Sequence, residues 1–125
     1  MIAADTSAVL HFLHGFDSPA RVLVRNALSD DALFLPAVVV TELLSGVDQE
    51  PDLLTLLAGS TRIPLKRGYW ERTGANRRTL KALGLRCRLA DSLVAQSCID
   101  AGVALIAGDT DFRHFADHCG LTLAI

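Results

Sequence analysis

The sequence predicts an α/β protein in which helices cover both faces of a central parallel sheet. Short, continuously apolar runs alternate along the chain with longer segments of helical periodicity. Strands that are apolar throughout, without alternation, are typical of parallel sheets buried on both faces. No repeat, low-complexity stretch or linker interrupts the 125 residues. We therefore expect one domain, residues 1–125, folded as a three-layer α/β/α sandwich.

In the first half of the chain, proline and glycine mark the helix boundaries. Pro19, Pro36 and Pro51 lie in predicted first turns, where proline is favoured, and Gly46 and Gly59 follow predicted last turns. Apolar runs before or between these helices predict the strands. The elements expected here are strands at 2–5 and 32–35 and helices at 6–14, 20–28, 36–45 and 50–59.

In the second half, the same signals predict three helices and three strands. Gly84, Gly102 and Gly120 each follow a segment of helical pattern and can end it. The run from Val103 to Ala107 is apolar throughout and predicts a buried strand. The elements expected here are strands at 62–65, 103–107 and 121–125 and helices at 68–83, 89–100 and 111–118.

Composition excludes several classes of protein. Half of the residues are hydrophobic, the mean hydropathy is +0.34 and the net charge is only −2, which excludes intrinsic disorder. No apolar run approaches the ~20 residues of a membrane span. The N-terminus lacks the basic region of a signal peptide, so we expect a cytoplasmic protein. Three cysteines without a Cys-x-x-Cys pair are expected to be small buried hydrophobes: Cys87, Cys98 and Cys119.

The charges are distributed very unevenly along the chain. Residues 62–88 contain nine basic side chains and one acidic side chain, a net +8, whereas the rest of the chain carries −10. This separation favours a polyanionic partner, although a solvated helix face would have the same pattern. Tyr69 and Trp70 next to this segment could stack on bases, but core packing is the commoner role for such aromatics.

Four carboxylates occur in apolar surroundings. Asp5 and Asp109 follow predicted strands, and the carboxyl ends of parallel strands are where ligands bind in such sheets. Glu42 and Asp91 lie within apolar helical segments, where an ionised carboxylate is costly unless it is paired or binds a metal. Asp5, Asp91 and Asp109 could instead cap or start helices and turns, whereas Glu42, in the middle of a helix, has no capping role.

The donor types predict a hard cation. Oxygen ligands without cysteine or paired histidines suit Mg²⁺ or Mn²⁺, which can activate a water and hold a phosphate oxygen. His114 and His118 have zinc-like spacing but no third ligand, so we interpret them as surface residues. With the basic segment holding a nucleic-acid backbone, these features favour metal-dependent phosphodiester hydrolysis. The candidate RNA-binding side chains are Arg72, Arg77, Arg78, Arg86 and Arg88.

Four ordered motifs resemble those of PIN-domain nucleases, and the chain length is most similar to that of the VapC ribonuclease toxins. The motifs are residues 5–10, 41–43, 89–95 and 106–112, so the resemblance covers nearly the whole chain. It implies that Asp5, Glu42, Asp91 and Asp109 form the catalytic cluster that binds Mg²⁺ or Mn²⁺. Two further residues match motif positions: Asp111 as an additional acid at the metal site, and Ser7 as a hydroxyl bonded to the Asp5 carboxylate.

The resemblance also implies an activity and partners. A VapC-like toxin is expected to be an endoribonuclease that cuts structured RNA such as tRNA or rRNA by means of metal-activated water, leaving 5′-phosphate and 3′-hydroxyl ends. It is expected to form a homodimer and to be inhibited by an antitoxin protein. The alternative is a mainly non-enzymatic subunit of a toxin–antitoxin repressor complex on DNA, in which the acidic cluster binds a basic side chain of the antitoxin.

Overall fold

A computed structural model describes residues 1–125 and confirms the predicted α/β class. Four parallel strands form one sheet in the order β3–β2–β1–β4, with seven helices around it. The strands are β1 (Ile2–Ala4), β2 (Leu33–Leu35), β3 (Thr61–Arg62) and β4 (Ala104–Ile106). The helices are α1 (Thr6–His14), α2 (Pro19–Ser29), α3 (Ala37–Leu44), α4 (Leu53–Ala58), α5 (Tyr69–Ala82), α6 (Leu89–Ala101) and α7 (Arg113–His118).

The strand order reverses beside β1. Ile2 of β1 is in register with Leu33 of β2 on one side and with Ala104 of β4 on the other. The chain runs outward from β1 through β2 to β3, and β4 is then added at the opposite side of β1. Residues that follow β1 and β4 therefore lie at the reversal point, where a crevice forms in sheets of this kind.

All five predicted strands are shorter in the structure, and two of them lose half of their length or more. The strand expected at 62–65 is confined to Thr61–Arg62, because Pro64 lacks the N–H that would continue a ladder. The strand expected at 121–125 is reduced to a single parallel bridge between Leu123 and Leu105. Two backbone hydrogen bonds flank that bridge: the Leu105 N–H donates to the carbonyl of Thr122, and the Ala124 N–H donates to the carbonyl of Leu105.

One hydrophobic core of 27 buried residues joins the sheet to the helices. Leu35, Leu105, Phe112 and Phe115 are among its most deeply buried side chains. Cys87 and Cys98 are buried, as expected, whereas Cys119 is only half-buried, and all three are free thiols. None of the seven helices combines the length and the apolar character needed to cross a membrane.

Candidate metal and nucleic-acid site

Asp5 occupies the reversal point of the sheet. It follows β1, caps the N-terminus of α1 and is only 3% exposed. Its Oδ1 accepts hydrogen bonds from the backbone N–H of Ala8 at 2.7 Å and of Gly108 at 3.1 Å. Asp5 therefore does cap a helix, which was the alternative role predicted for it from the sequence. Because Oδ2 has no hydrogen bond within the chain, capping leaves one carboxylate oxygen uncommitted.

Gly108 brings the end of β4 against the start of α1. A Cβ at this position would lie 2.7 Å from the Ala8 nitrogen, the Ser7 carbonyl carbon and the Ser7 Oγ. Two of these atoms belong to the backbone and cannot move aside, so glycine alone fits the contact. This close approach is what allows the Gly108 amide to reach Asp5.

Glu42 lies on an exposed face of α3, which corrects the expectation of apolar surroundings. The structure buries Val39 and Leu43 on the core side of α3 but leaves Glu42 exposed. The hydroxyl of Thr6 donates a hydrogen bond to Glu42 Oε1 at 2.7 Å, which ties α3 to the start of α1. Glu42 is thus a candidate site residue because of its position beside α1, and not because it is desolvated.

The other acidic side chains come from α6 and from the segment after β4. Asp91 is the third residue of α6 and is half-buried. Asp109 and Asp111 are exposed in the turn before α7, and the Asp111 N–H donates to Asp109 Oδ1 at 3.0 Å. That turn delays the start of α7 to Arg113, two residues later than predicted.

All five of these carboxylates line one cleft of about 240 Å³, which we call the acidic cleft. The residues around it are Asp5, Thr6, Ser7, Leu10, Glu42, Arg88, Asp91, Val94, Asp109, Asp111 and Phe112. Segments that are distant in sequence, from β1 to the turn after β4, thus meet at the reversal point of the sheet. The four carboxylates singled out from the sequence, together with Asp111, converge there.

The cleft favours protonation of two of its carboxyl groups, those of Asp5 and Asp91. Burial raises the pKa of Asp5 from 3.8 to about 7, against the lowering effect of its two backbone hydrogen bonds, and the charges of Asp109 and Asp91 raise it further. Burial also raises the pKa of Asp91 to about 6, aided by the charges of Asp109 and Asp111 and opposed by Arg88. The cluster therefore has an excess of negative charge that a cation would neutralise.

A PIN domain family model matches residues 2–118 of the sequence. The chain belongs to the PIN domain family. This membership confirms the resemblance that the four sequence motifs indicated. A search of the curated proteins finds no significant match.

Two solved structures share the fold of this PIN domain. The crystal structure of VapBC2 from Rickettsia felis bound to a DNA fragment from its promoter contains a similar chain, with a TM-score of 0.76 and 18% identity, covering 98% of this chain and 97% of that one. The crystal structure of DNA-bound VapBC from Salmonella typhimurium contains another, with a TM-score of 0.70 and 15% identity over 98% of this chain and 97% of that one.

The donor set of the PIN domain fits a hard divalent cation. Apart from the Arg88 guanidinium, the polar side chains of the acidic cleft are carboxylates and hydroxyls, and such oxygens are the ligands preferred by Mg²⁺ and Mn²⁺. No three of its acidic side chains are drawn together tightly enough to form a ready-made metal site. The exposed side chains of Glu42, Asp109 and Asp111 are free to adjust, whereas Asp5 is fixed.

Ser7 lines the acidic cleft but does not bond to Asp5, contrary to the expectation from the resemblance. Both hydrogen bonds to the Asp5 carboxylate come from backbone N–H groups. The Ser7 Oγ instead lies against Gly108. The backbone provides what the hydroxyl was expected to provide, because the capping geometry of α1 and the glycine contact aim two N–H groups at the same oxygen.

The five predicted RNA-binding arginines differ in their surroundings. Arg72 donates two hydrogen bonds to Asp100, at 3.0 and 2.7 Å, and Arg77 donates to the carbonyl of Cys87. Arg78 is exposed on α5, away from the acidic cleft. Arg88 lines that cleft, and Arg86 lines a cavity next to it. Arg72 and Arg77 thus have partners within the fold, Arg86 and Arg88 face the site, and Arg78 does neither.

Three residues at or beside the site had no place in the sequence-based prediction of it. Thr6 orients Glu42, Gly108 supports Asp5, and His114 lines the cavity beside the acidic cleft. A glycine directly after an apolar strand is a recognised signal of close backbone approach and could have identified Gly108. No local pattern identifies the other two, because their contacts depend on the packing of α1, α3 and α7.

Proposed function

We propose that this PIN domain is a Mg²⁺- or Mn²⁺-dependent endoribonuclease and the toxin of a toxin–antitoxin pair. The observation that supports this most directly is the convergence of five carboxylates on one cleft at the reversal point of the sheet. Outside the cleft, the buried carboxylate of Asp100 has both a basic and an amide partner, Arg72 and Gln96. In the acidic cleft, burial and the charges of neighbouring carboxylates instead raise the pKa values of Asp5 and Asp91.

In this proposal Asp5, Glu42, Asp91 and Asp109 hold the cation, with Asp111 beside them. When bound, the cation supplies positive charge for a phosphate group and lowers the pKa of an attacking water. Ala8 and Gly108 fix Asp5 through one carboxylate oxygen and leave the other free to bind the cation. Hydrogen bonding of that kind orients metal ligands and is as important as the ligands themselves.

The substrate we propose is RNA, held by its phosphate backbone. Arg88 is exposed at the rim of the acidic cleft and forms no ion pair within the chain, so it can meet a strand that enters the cleft. Arg86 and Arg78 are exposed in the same basic segment. Their charges would attract the polyanion towards a cleft that is itself acidic.

An antitoxin partner and homodimerisation complete the proposal. Both similar structures are of VapBC complexes bound to DNA. The PIN domain exposes large apolar side chains that a partner could cover, among them Phe16, Leu44 and Leu54. A cognate antitoxin that covers the acidic cleft would inhibit the nuclease. The part of the antitoxin that lies on the acidic cleft should then carry basic side chains, because these would neutralise the carboxylates.

The test is cleavage of total RNA by the purified protein with Mg²⁺ or Mn²⁺, with the fragment ends mapped. Asp5→Asn should abolish discrete cuts, as should a chelator. Asp117→Asn is the matched control, because Asp117 is an exposed acid on α7 outside the acidic cleft. Cuts with 5′-phosphate and 3′-hydroxyl ends that disappear with Asp5→Asn but survive Asp117→Asn support the proposal. Cleavage that persists in Asp5→Asn would refute it.

A repressor subunit without nuclease activity is the second candidate, because DNA is present in both similar structures. In that case the acidic cleft would bind a basic side chain of the antitoxin. The purified complex should then form equally well with and without chelator and bind promoter DNA. The isolated PIN domain should leave RNA intact under every metal condition, and Asp5→Asn should weaken the complex rather than a cleavage rate.

A further inference from the structure

A second cavity of about 250 Å³ lies beside the acidic cleft, and we call it the basic cavity. Its lining contains no hydrophobic residue, which is unusual for a gap between packed helices. The residues around it are Arg86, Arg88, Asp91, Thr110, Asp111 and His114. A concave surface made only of polar side chains is suited to a charged ligand.

The two cavities share one wall and differ in charge beyond it. Arg88, Asp91 and Asp111 line both of them. Only the acidic cleft reaches Asp5, Glu42 and Asp109, and only the basic cavity reaches Arg86, Thr110 and His114. The site therefore changes from strongly anionic in the acidic cleft to a balance of two arginines and two aspartates in the basic cavity, where Arg86 and His114 lie on the side away from the acidic cleft. A nucleic-acid strand with one phosphate group in the acidic cleft can place the adjacent phosphate group in the basic cavity.

The donors of the basic cavity are uncommitted. Neither Arg86 nor His114 forms an ion pair or a hydrogen bond through its side chain. Other arginines in the same basic segment contrast with them, since Arg72 binds Asp100 in a bidentate pair and Arg77 binds the Cys87 carbonyl. Leaving guanidinium and imidazole donors free in a concave polar surface makes them available to an external acceptor.

The backbone segments that line the basic cavity are anchored in the core. His114 lies on α7, which the buried side chain of Phe115 anchors in the core. Arg86 and Arg88 flank Cys87, which is buried and whose carbonyl accepts a hydrogen bond from Arg77 at 3.1 Å. The backbone positions that carry these donors are therefore fixed around the cavity, as a binding site requires.

We propose that Arg86 and His114, together with the Thr110 hydroxyl, form a phosphate-binding subsite for the nucleotide next to the one that is cut. This inference rests on the proposed nuclease function and adds a specific contact to it. It also revises the interpretation of His114 as a surface residue without a role. Arg86 provides a forked donor for two phosphate oxygens, and His114 provides a ring N–H from the opposite element.

Binding of a fluorescent single-stranded RNA oligonucleotide in Mg²⁺ tests the subsite, with Asp5→Asn present in every protein so that the RNA stays intact. Arg86→Gln should weaken binding about tenfold and reduce the slope of log affinity against log salt by about 0.7, the value for one lost phosphate contact. His114→Ala should weaken binding about threefold. The matched controls are Arg25→Gln, an exposed arginine on α2, and His118→Ala, an exposed histidine on α7, and both should stay within about twofold.

A chemical version of the same test locates the phosphate. Oligonucleotides that carry one neutral methylphosphonate linkage, moved one position at a time, should reveal a position at which neutralisation weakens binding to the parent protein but not to Arg86→Gln. That position should adjoin the cleavage site mapped with the fully active protein. Loss of sensitivity at a single linkage is not expected from a merely structural role of Arg86.

Failure of the subsite and failure of the nuclease proposal are distinguishable. Arg86→Gln and His114→Ala that bind RNA as tightly as their controls, with unchanged melting temperatures, would overturn the subsite even if the wild-type chain cuts RNA. Absence of RNA binding by the parent protein would overturn it too. Weakened binding in these variants, in a chain that cuts no RNA, would support phosphate binding by Arg86 and His114 but refute the nuclease and the place of the subsite beside a cleaved nucleotide.

Discussion

The backbone N–H of Gly108 donates a hydrogen bond of 3.1 Å to the carboxylate of Asp5, 103 residues earlier in the chain. This bond joins the residue after β1 to a residue after β4, the two adjacent strands at the reversal point of the sheet. It therefore couples the fold to the site: the same contact that closes the sheet end against α1 also orients the most buried carboxylate.

Replacement of Gly108 by alanine should lower both the stability of the fold and the activity of the site. The new Cβ would meet backbone atoms of Ser7 and Ala8 at 2.7 Å, so β4 and α1 must separate. Overpacking of this kind costs about 1–3 kcal/mol of unfolding free energy. Urea denaturation should show that loss, and cleavage of RNA should fall because the Gly108 amide no longer reaches Asp5.

Gly74→Ala is the matched control for that substitution. Gly74 lies within α5, and a Cβ there meets nothing within 4 Å. Alanine in the middle of a helix should stabilise the protein by about 0.5–1 kcal/mol. Equal effects of the two substitutions on stability would show that the contact of Gly108 is not as tight as the structure has it.

Stability of the metal-free protein should fall as the pH rises from about 4 to about 7. Asp5 binds its proton at an ordinary pKa of 3.8 when unfolded and at about 7 when folded, so the folded state holds the proton more tightly between those values. The difference corresponds to about 4 kcal/mol. Thermal unfolding in a chelator, followed from pH 4.5 to pH 8, measures it.

Asp5→Asn should flatten that pH profile, since an amide oxygen can still accept the hydrogen bonds from Ala8 and Gly108 without carrying a charge. Added Mn²⁺ should stabilise the wild-type protein more at pH 8 than at pH 5, because the ligands must be deprotonated. If stability changes with pH by the same slope in wild type and Asp5→Asn, a group other than Asp5 dominates the pH dependence.

Arg72→Gln should destabilise the fold without weakening RNA binding. Arg72 donates to both oxygens of Asp100, whose side chain is only 8% exposed and which also accepts from Gln96. The guanidinium lowers the pKa of Asp100, so the pair stabilises the protein above the ordinary carboxyl range and loses its effect as the pH falls through the lowered pKa. A lower urea midpoint than that of the wild-type protein is expected at neutral pH.

The oligonucleotide-binding assay tests the second half of this prediction, that Arg72 does not contribute to RNA binding. Arg72→Gln should bind RNA within about twofold of the parent, because its partner lies at the other end of α6 from Asp91. Weaker RNA binding with unchanged stability would place Arg72 in the nucleic-acid surface, as the sequence had suggested.

These arginines show where prediction from sequence reached its limit. The excess of cations in residues 62–88 was visible, but only the packing of α5 on α6 shows that Arg72 is taken by Asp100 and that Arg77 bonds to Cys87. A count of charges does not distinguish a side chain that holds two helices together from one that faces a substrate. Such pairings are tertiary and have no local pattern.

The acidic side chains were easier to place, for a local reason. Asp5 and Asp109 follow continuous apolar strands, and the geometry of parallel sheets sends such residues to one edge. Glu42 was placed correctly on a helix but was expected in apolar surroundings, whereas it is exposed. The heptapeptide around it is apolar in sequence, yet the cleft opens beside α3 and leaves that face in solvent.

Thr6→Val should weaken metal binding by about tenfold while leaving the fold intact. The Thr6 hydroxyl is the only side-chain donor to Glu42, at 2.7 Å, and valine keeps the shape of the side chain while removing that hydrogen bond. Loss of a bond that orients a metal ligand typically costs about 10–100-fold in affinity or activity. Stabilisation of the protein by titrated Mn²⁺, followed as the rise in melting temperature, measures the change.

Thr41→Val provides the comparison for Thr6→Val, because Thr41 precedes Glu42 on α3, is exposed and forms no side-chain hydrogen bond. It should leave Mn²⁺ affinity and RNA cleavage unchanged. If Thr6→Val and Thr41→Val behave alike, Glu42 needs no orientation by α1 and the carboxylate reaches the cation by its own flexibility. If only Thr6→Val is impaired, the contact between α1 and α3 belongs to the metal site, because it holds an otherwise exposed side chain towards Asp5.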